Sequence, residues 1–420
     1  MVGYRICLIT PGHLATNPRI VKEADALSEA GFDVTVITGD YLDWGRKADK
    51  EFVGRPWRID RKVAFGPLAP KARYVIQTVR RHFARILAKL GLRLPALIEF
   101  AQHSVSRDLI RVAKSVSADL YIAHYVAALP AAARAAARYG TKFAFDAEDF
   151  HLGDFPDNAE FNFERMLVRT IEQRYLRGCA YLTAASPGIA EAYSSAYGLA
   201  MPTVVLNVFP KLQAPKMPTP AGTAVPGPSL YWFSQTIGPD RGLETVLEAL
   251  SLSLARPHLY IRGHLAQAFS VELKRLTSKF GVTEQVHFLD LAPPSEMARL
   301  ASAYDMGFVS ETGTTRNRKI ALTNKLFSFL LAGVPVAASA IPAHKQFFDS
   351  NDPVFLYEPT DSKGLAMTID QYLLDRSRLK NMRQLAWRLG QDRYNWDNEK
   401  YNLLAVVGTT LGVKNAQLPR

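Results

Sequence analysis

The stretch NKLFSFLLAGVPVAAS, residues 324–339, reads as a helix, then Gly333-Val-Pro335, then a short apolar strand. A helix N-terminus carries unpaired N–H groups and about half a positive charge, so it takes a phosphate readily. Lys325 stands in the first turn, where the macrodipole favours an acid. A cation there points to an anion held between the two; a plain solvated lysine is the alternative. The preceding TRNRKIALTN adds Arg316, Arg318 and Lys319, which form either a phosphate cluster or a basic surface loop.

Working outward, the same strand–helix alternation fills the chain. RICLIT (5–10) is an apolar strand, 19–30 is helical with Ile20, Val21, Ala24 and Leu27 on one face, and VTVIT (34–38) is the next strand. Gly31 between them is a helix-stop signal. Strands at 120–123, 142–146, 180–184 and 203–206 alternate with helices at 127–139, 163–178 and 187–197. Residues 212–229, LQAPKMPTPAGTAVPGPS, are crowded with Pro and Gly and mark a linker. A second alternation follows, with strands at 230–234, 259–262, 286–289, 306–309 and 335–339 and helices between them; 361–412 reads as helical. This predicts an α/β protein with two doubly wound halves: 1–211, the linker, 230–375, and a helical segment 376–420. Ligands of such sheets sit at the carboxyl ends of strands, so the cleft between the halves is the expected site.

The 420 residues allow two or three domains, and 48% apolar content allows sizeable cores. A formal charge of +12 suits an anionic partner: nucleotide, anionic membrane surface or nucleic acid. Nucleic acid is disfavoured because no recognised module is present. Two cysteines, Cys7 in an apolar strand and Cys179, give no disulfide framework. No run is long and apolar enough to span a bilayer, and MVGYRICLIT lacks a signal-peptide pattern, so a cytoplasmic location is expected.

The ordered series GPDRGLETVLEAL, LYIRGH, VHFLDLAPPSEMARLASAYDMGFVS and TNKLFSFLLAGVPVAAS resembles the GT-B fold glycosyltransferases of family four, which are retaining and use nucleotide sugars. TPGHLATNPRIVKEADALSEAGFDVTVIT and FAFDAEDF resemble the family's first half more loosely. The resemblance implies two Rossmann-like domains, with the C-terminal helices crossing back to the first. It implies a nucleoside diphosphate sugar as donor substrate, no cofactor, and a glycan or lipid-linked acceptor in surface polysaccharide assembly. By the same resemblance Arg241 holds the donor diphosphate, Asn324 and Lys325 offer it helix N–H groups, Gly12 lets the backbone approach the donor, and His124 stands near the transferred sugar. A nucleotide-sugar epimerase and a non-catalytic GT-B protein that binds a glycan or partner enzyme are the alternatives.

This chain departs from the family's paired glutamates, which fall at Ile320 and Ser328 by spacing back from Gly333. Ser328 is thus expected beside the ribose, with weaker neutral hydrogen bonds. A further arginine of the family falls at Thr236. Glu311 is the nearest spare carboxylate for a donor role. DAEDF (146–150) places acids at a strand end, suited to sugar hydroxyls or a metal, or simply a solvated loop; Glu148 is the acceptor candidate. No His/Cys/Asp spacing demands a metal. In TNPR (16–19), Asn17 caps and Pro18 starts a helix, and both Asn17 and Arg19 are candidates for the acceptor. Residues 71–93 form a basic stretch with Val75, Ile76, Val79, Phe83, Ile86, Leu87 and Leu90 on one helical stripe, which suits either core packing or peripheral docking on an anionic membrane.

Overall fold

The strand–helix alternation builds two wholly parallel sheets in the computed structural model, which describes residues 3–220, 225 and 227–413. The chain divides into two compact units. Unit 1 comprises the chain up to Leu206, Thr315–Asn317, and residues from Lys400 onward; unit 2 comprises Asn207–Thr314 and Arg318–Glu399.

In unit 1 the strands are β1 (Arg5–Ile9), β2 (Asp33–Asp40), β3 (Arg58–Ala64), β4 (Leu120–His124), β5 (Lys142–Ala147), β6 (Leu182–Ala184) and β7 (Thr203–Val204), in the order β3-β2-β1-β4-β5-β6-β7. Ile6 pairs with Val34 on one side and Leu120 on the other. Ile6, Cys7, Leu8 and Ile9 are all buried, as both faces of a parallel sheet are covered. Unit 2 holds β8 (Ser229–Ile237), β9 (His258–Leu265), β10 (Val286–Leu289), β11 (Met306–Val309), β12 (Val336–Ser339) and β13 (Val354–Tyr357), ordered β10-β9-β8-β11-β12-β13. Its core gathers Trp232, Leu247, Ile261, Phe308, Leu365 and Ile369. The strand order reverses between β1 and β4 and again between β8 and β11, which opens a crevice at the carboxyl ends of each pair.

Several expectations need adjustment. Edge strands β3 and β13 escape the sequence reading, and so do helices Asp43–Ala48, Pro95–Gln102 and Ser106–Ala113. The division falls between Leu206 and Asn207 rather than at residue 211. Within the expected linker, residues 221–224 and 226 lie outside the described residues. Helix Arg376–Asp392 is part of unit 2 rather than a separate segment. It packs so closely on helix Asn324–Leu331 that a Cβ on Gly390 would lie 2.5 Å from the Leu330 carbonyl oxygen. Its Trp387 covers Gly333, whose φ of +70° turns the chain into β12. Helix Trp396–Leu411 begins in unit 2 and ends in unit 1, where Lys400 pairs with Glu29 at 3.0 Å and Thr410 O accepts from Lys142 Nζ. That return matches the crossing-back expected of the C-terminal helices.

Candidate functional site

In unit 2 the loops after β8 and β11 meet at the switch point. Asp240 and Gly242 both take positive φ, +58° and +66°, on either side of Arg241. Gly242 is required there, since a Cβ would lie 2.7 Å from the Ser310 carbonyl oxygen. The Ser310 hydroxyl donates to Arg241 O at 2.5 Å, and Arg318 Nη1 donates to Asp240 O at 2.9 Å. The two loops are therefore pinned together, and Arg241 is held where the strands end.

Helix Asn324–Leu331 starts beside them with no side chain capping its N-terminus and no acid in its first turn. Its open N–H groups and dipole favour an anion. Lys325 Nζ lies 3.4 Å from Glu311 Oε1 and 5.4 Å from the Trp232 ring centroid. Burial pushes the Lys325 amine below its ordinary value, and Glu311 partly offsets this. Burial would raise Glu311, but Lys325, Arg241 and Arg318 outweigh it and hold the carboxyl below its ordinary value. Three cations thus face one carboxylate, leaving an excess of positive charge. Of the basic loop read from sequence, Arg318 joins this cluster, Lys319 is exposed, and Arg316 lies over the Phe150 ring in unit 1.

Ser328 is not an open replacement for the missing acid. It is buried, and its hydroxyl donates to Asn324 O at 3.1 Å, one turn back on its own helix. Ile320 ends the short helix Arg316–Ile320, and Thr236 lies exposed in β8 opposite His264. The sequence reading overlooked His344, buried after β12, whose Nδ1 bonds Ser339 O at 2.6 Å and whose imidazole feels the Glu311 charge. His344 Nε2 and Ser339 Oγ are buried without hydrogen-bond partners among the described residues.

In unit 1 the switch point between β1 and β4 holds a buried charge network. Arg19 donates through Nε and Nη2 to Asp146 at 2.6 and 2.7 Å and through Nη1 to Val205 O at 2.8 Å. His124 lies 3.3 Å from both Glu23 and Asp146, and Thr183 donates to Asp146. Burial alone would lower the His124 pKa, but Glu23 and Asp146 raise it to about 10. Burial would raise Asp146, but Arg19 and His124 hold it far below the usual carboxylate range. Glu23, His124 and Asp146 have the spacing of metal ligands, with their atoms within 4.8 Å of one another. Arg19 already supplies the positive charge there, its Nε also 3.4 Å from Glu23, so the cluster reads as an ion-pair network.

This network corrects three expectations. Arg19 is fully buried, so it does not stand at a mouth to meet an acceptor. Asn17 caps the helix as expected, its Oδ1 accepting from Ile20 N, but it is buried rather than open to an acceptor. His124 is enclosed between Glu23 and Asp146 at the end of β4 rather than open at the strand end. The next residue, Tyr125, has a φ of +67°, uncommon for a bulky side chain, and its hydroxyl lies 3.5 Å from Glu148 Oε2. Glu148 is half-buried, and burial together with Asp149 pushes its carboxyl up to about 7. Lys22 is driven down to about 7 by burial and by Arg19. Asp149 accepts from Asn317 Nδ2 at 2.7 Å. Gly12 lies in the loop after β1, its carbonyl accepting from Gly39 N and the Thr38 hydroxyl.

Two parallel-sheet units with a cationic switch point in the second define a class. The sequence matches the glycosyl transferase 4-like domain over residues 15–210 and a glycosyl transferase-like domain over 246–405. The chain belongs to the GT-B glycosyltransferases of the family-four type. Among solved structures it is similar in fold to Anabaena Alr3699/HepE in complex with UDP and glucose, at 15% identity and TM-score 0.71, covering 97% of this chain and 100% of that one. Sucrose-phosphate synthase from Thermosynechococcus elongatus gives 13% and 0.73, covering 98% and 100%. A TarM variant from S. aureus in complex with fondaparinux, alpha-GlcNAc-glycerol and UDP gives 8% and 0.68, covering 96% and 99%. No curated protein sequence matches the chain.

Proposed function

We propose that this glycosyltransferase moves a hexosyl group, with retention, from a uridine diphosphate sugar to a glycan or lipid-linked acceptor in surface polysaccharide synthesis, working in the cytoplasm at the membrane face. The observation that carries the donor reading is the set of Lys325, Arg241 and Arg318 around one carboxylate, beside an uncapped helix N-terminus. A departing diphosphate needs its charge neutralised in the transition state, and preorganised cations and N–H groups do this. In this reading side-chain cations fill that part. UDP is favoured as the nucleotide because HepE and TarM were solved with it. Asn324 contributes helix N–H groups, Gly12 the backbone approach, and Glu311 a hydroxyl contact to the donor. Glu148, poised near neutrality beside Tyr125, binds an acceptor hydroxyl.

A second reading, a non-catalytic glycan- or partner-binding protein, is favoured by the lack of acids at positions 320 and 328. Saturation-transfer NMR against a nucleotide panel, followed by assay of UDP-glucose hydrolysis, separates the two. Binding of one nucleotide with donor turnover supports the transferase. Absence of nucleotide binding overturns it.

A further inference from the structure

The helix Lys71–Lys89 is built inside out. Its packing face against unit 1 consists of Gln77, Ala84 and Ala88. The large apolar residues point the other way: Val75, Val79, Phe83, Ile86 and Leu90 are 56, 61, 60, 43 and 73% exposed. At 3.6 residues per turn and 1.5 Å per residue they form one stripe about 22 Å long. A soluble helix normally turns such a stripe into its core, and a contiguous exposed apolar surface marks an interaction site.

The charge beside the stripe selects what covers it. Residues 71–93 hold seven Lys or Arg and no Asp or Glu. Lys71, Arg73, Lys89 and Arg93 are exposed. Arg80 and Arg85 instead tie the helix down, to Asp108 and Glu164. A second copy of the chain on this stripe would bring two such basic segments together against their mutual repulsion. Nucleic acid would leave the apolar residues uncovered. An anionic bilayer surface takes both, with apolar side chains entering the acyl boundary and cations meeting the headgroups.

We infer that the face of helix Lys71–Lys89 is a docking surface for anionic lipid bilayer, with the helix lying in the plane of the interface. This assigns a surface to the peripheral attachment proposed above and rests on that reading only for its biological purpose. Within the described residues no helix is long and apolar enough to cross a membrane, so attachment by this face is reversible and salt-dependent.

The test is co-sedimentation of the full chain with sucrose-loaded vesicles, either pure phosphatidylcholine or containing about 30 mol% phosphatidylglycerol. Binding should favour the anionic vesicles and fall as salt rises. The combined Val79→Ser, Phe83→Ser and Ile86→Ser variant should lose about 100-fold in vesicle partition. Its thermal melt should be unchanged, because these side chains are already exposed. Equal or absent binding to both vesicle types, or a triple variant that sediments like wild type, overturns the proposal. So does a wild-type dimer that the triple variant dissolves. UDP affinity measured on the same samples without lipid tests the donor reading separately.

Discussion

Replacing Lys325 with methionine removes the charge and keeps the stem beside Trp232. Stripping one partner from a fully buried ion pair costs about 3–5 kcal/mol. Here Arg241 and Arg318 still face Glu311, so the expected loss of stability is only about 1–2 kcal/mol. The nucleotide loses more. A charge-assisted contact contributes about 1.5–3 kcal/mol, so the Kd for UDP should rise roughly 10–150-fold. Arg241→Ala should fall in the same range, and the double variant should be less than additive because both groups meet one anion. The pH dependence has a sign. Since burial depresses the Lys325 amine, rising pH neutralises it before the ordinary lysine range, and UDP affinity should fall there in wild type but not in Lys325→Met. Titration calorimetry with UDP, accompanied by thermal melts, reads all of this. A Kd within about twofold of wild type for both single variants, with intact melts, would refute the placement of the diphosphate.

Ser328→Glu should lower the melting temperature without tightening UDP, because the site is buried and its hydroxyl already serves Asn324 O; a gain in UDP affinity would show an open ribose contact. Asp146→Asn should cost about 3–5 kcal/mol in chemical denaturation, since Arg19 and His124 would then share only Glu23 as a carboxylate partner in the network. Glu148 has a folded pKa of about 7, above its unfolded value. The unfolded chain therefore releases that proton first as pH rises from about 4.5 to 7, and above this window the carboxylate lowers stability. Glu148→Gln should be about 1–2 kcal/mol more stable than wild type at pH 8, discounted for partial exposure, and nearly equal near pH 4, as urea titrations at the two pH values would report.

What was legible in the sequence follows from how each feature is encoded. β1 and the helix after it are read directly because buried parallel strands and an amphipathic helix leave local apolar patterns. The edge strand β3, RIDRKVA, carries four charges and no such pattern, because an edge need not be apolar. Arg241 is singled out by motif order and Lys325 by its place in a helix's first turn, and the fold brings both near Glu311. The unit 1 network was misread for the opposite reason. Arg19, Glu23, His124 and Asp146 are brought together across more than a hundred residues, and nothing local to TNPR tells a surface arginine from a buried one. Tyr125 gave no signal at all, since an unusual backbone angle on a tyrosine leaves no compositional trace.

The helix Trp396–Leu411 carries a consequence for synthesis. Unit 1 is made first, through Leu206, yet it is finished only when residues from Lys400 onward are added. At translation rates of about 5–20 residues per second, the first sheet waits roughly 10–40 s for its last helix. During that interval the surface around Glu29 and Lys142 stands uncovered on the ribosome. Vectorial folding would therefore pause with one unit incomplete while the other forms, and the final helical turns would act as the latch that ends the process.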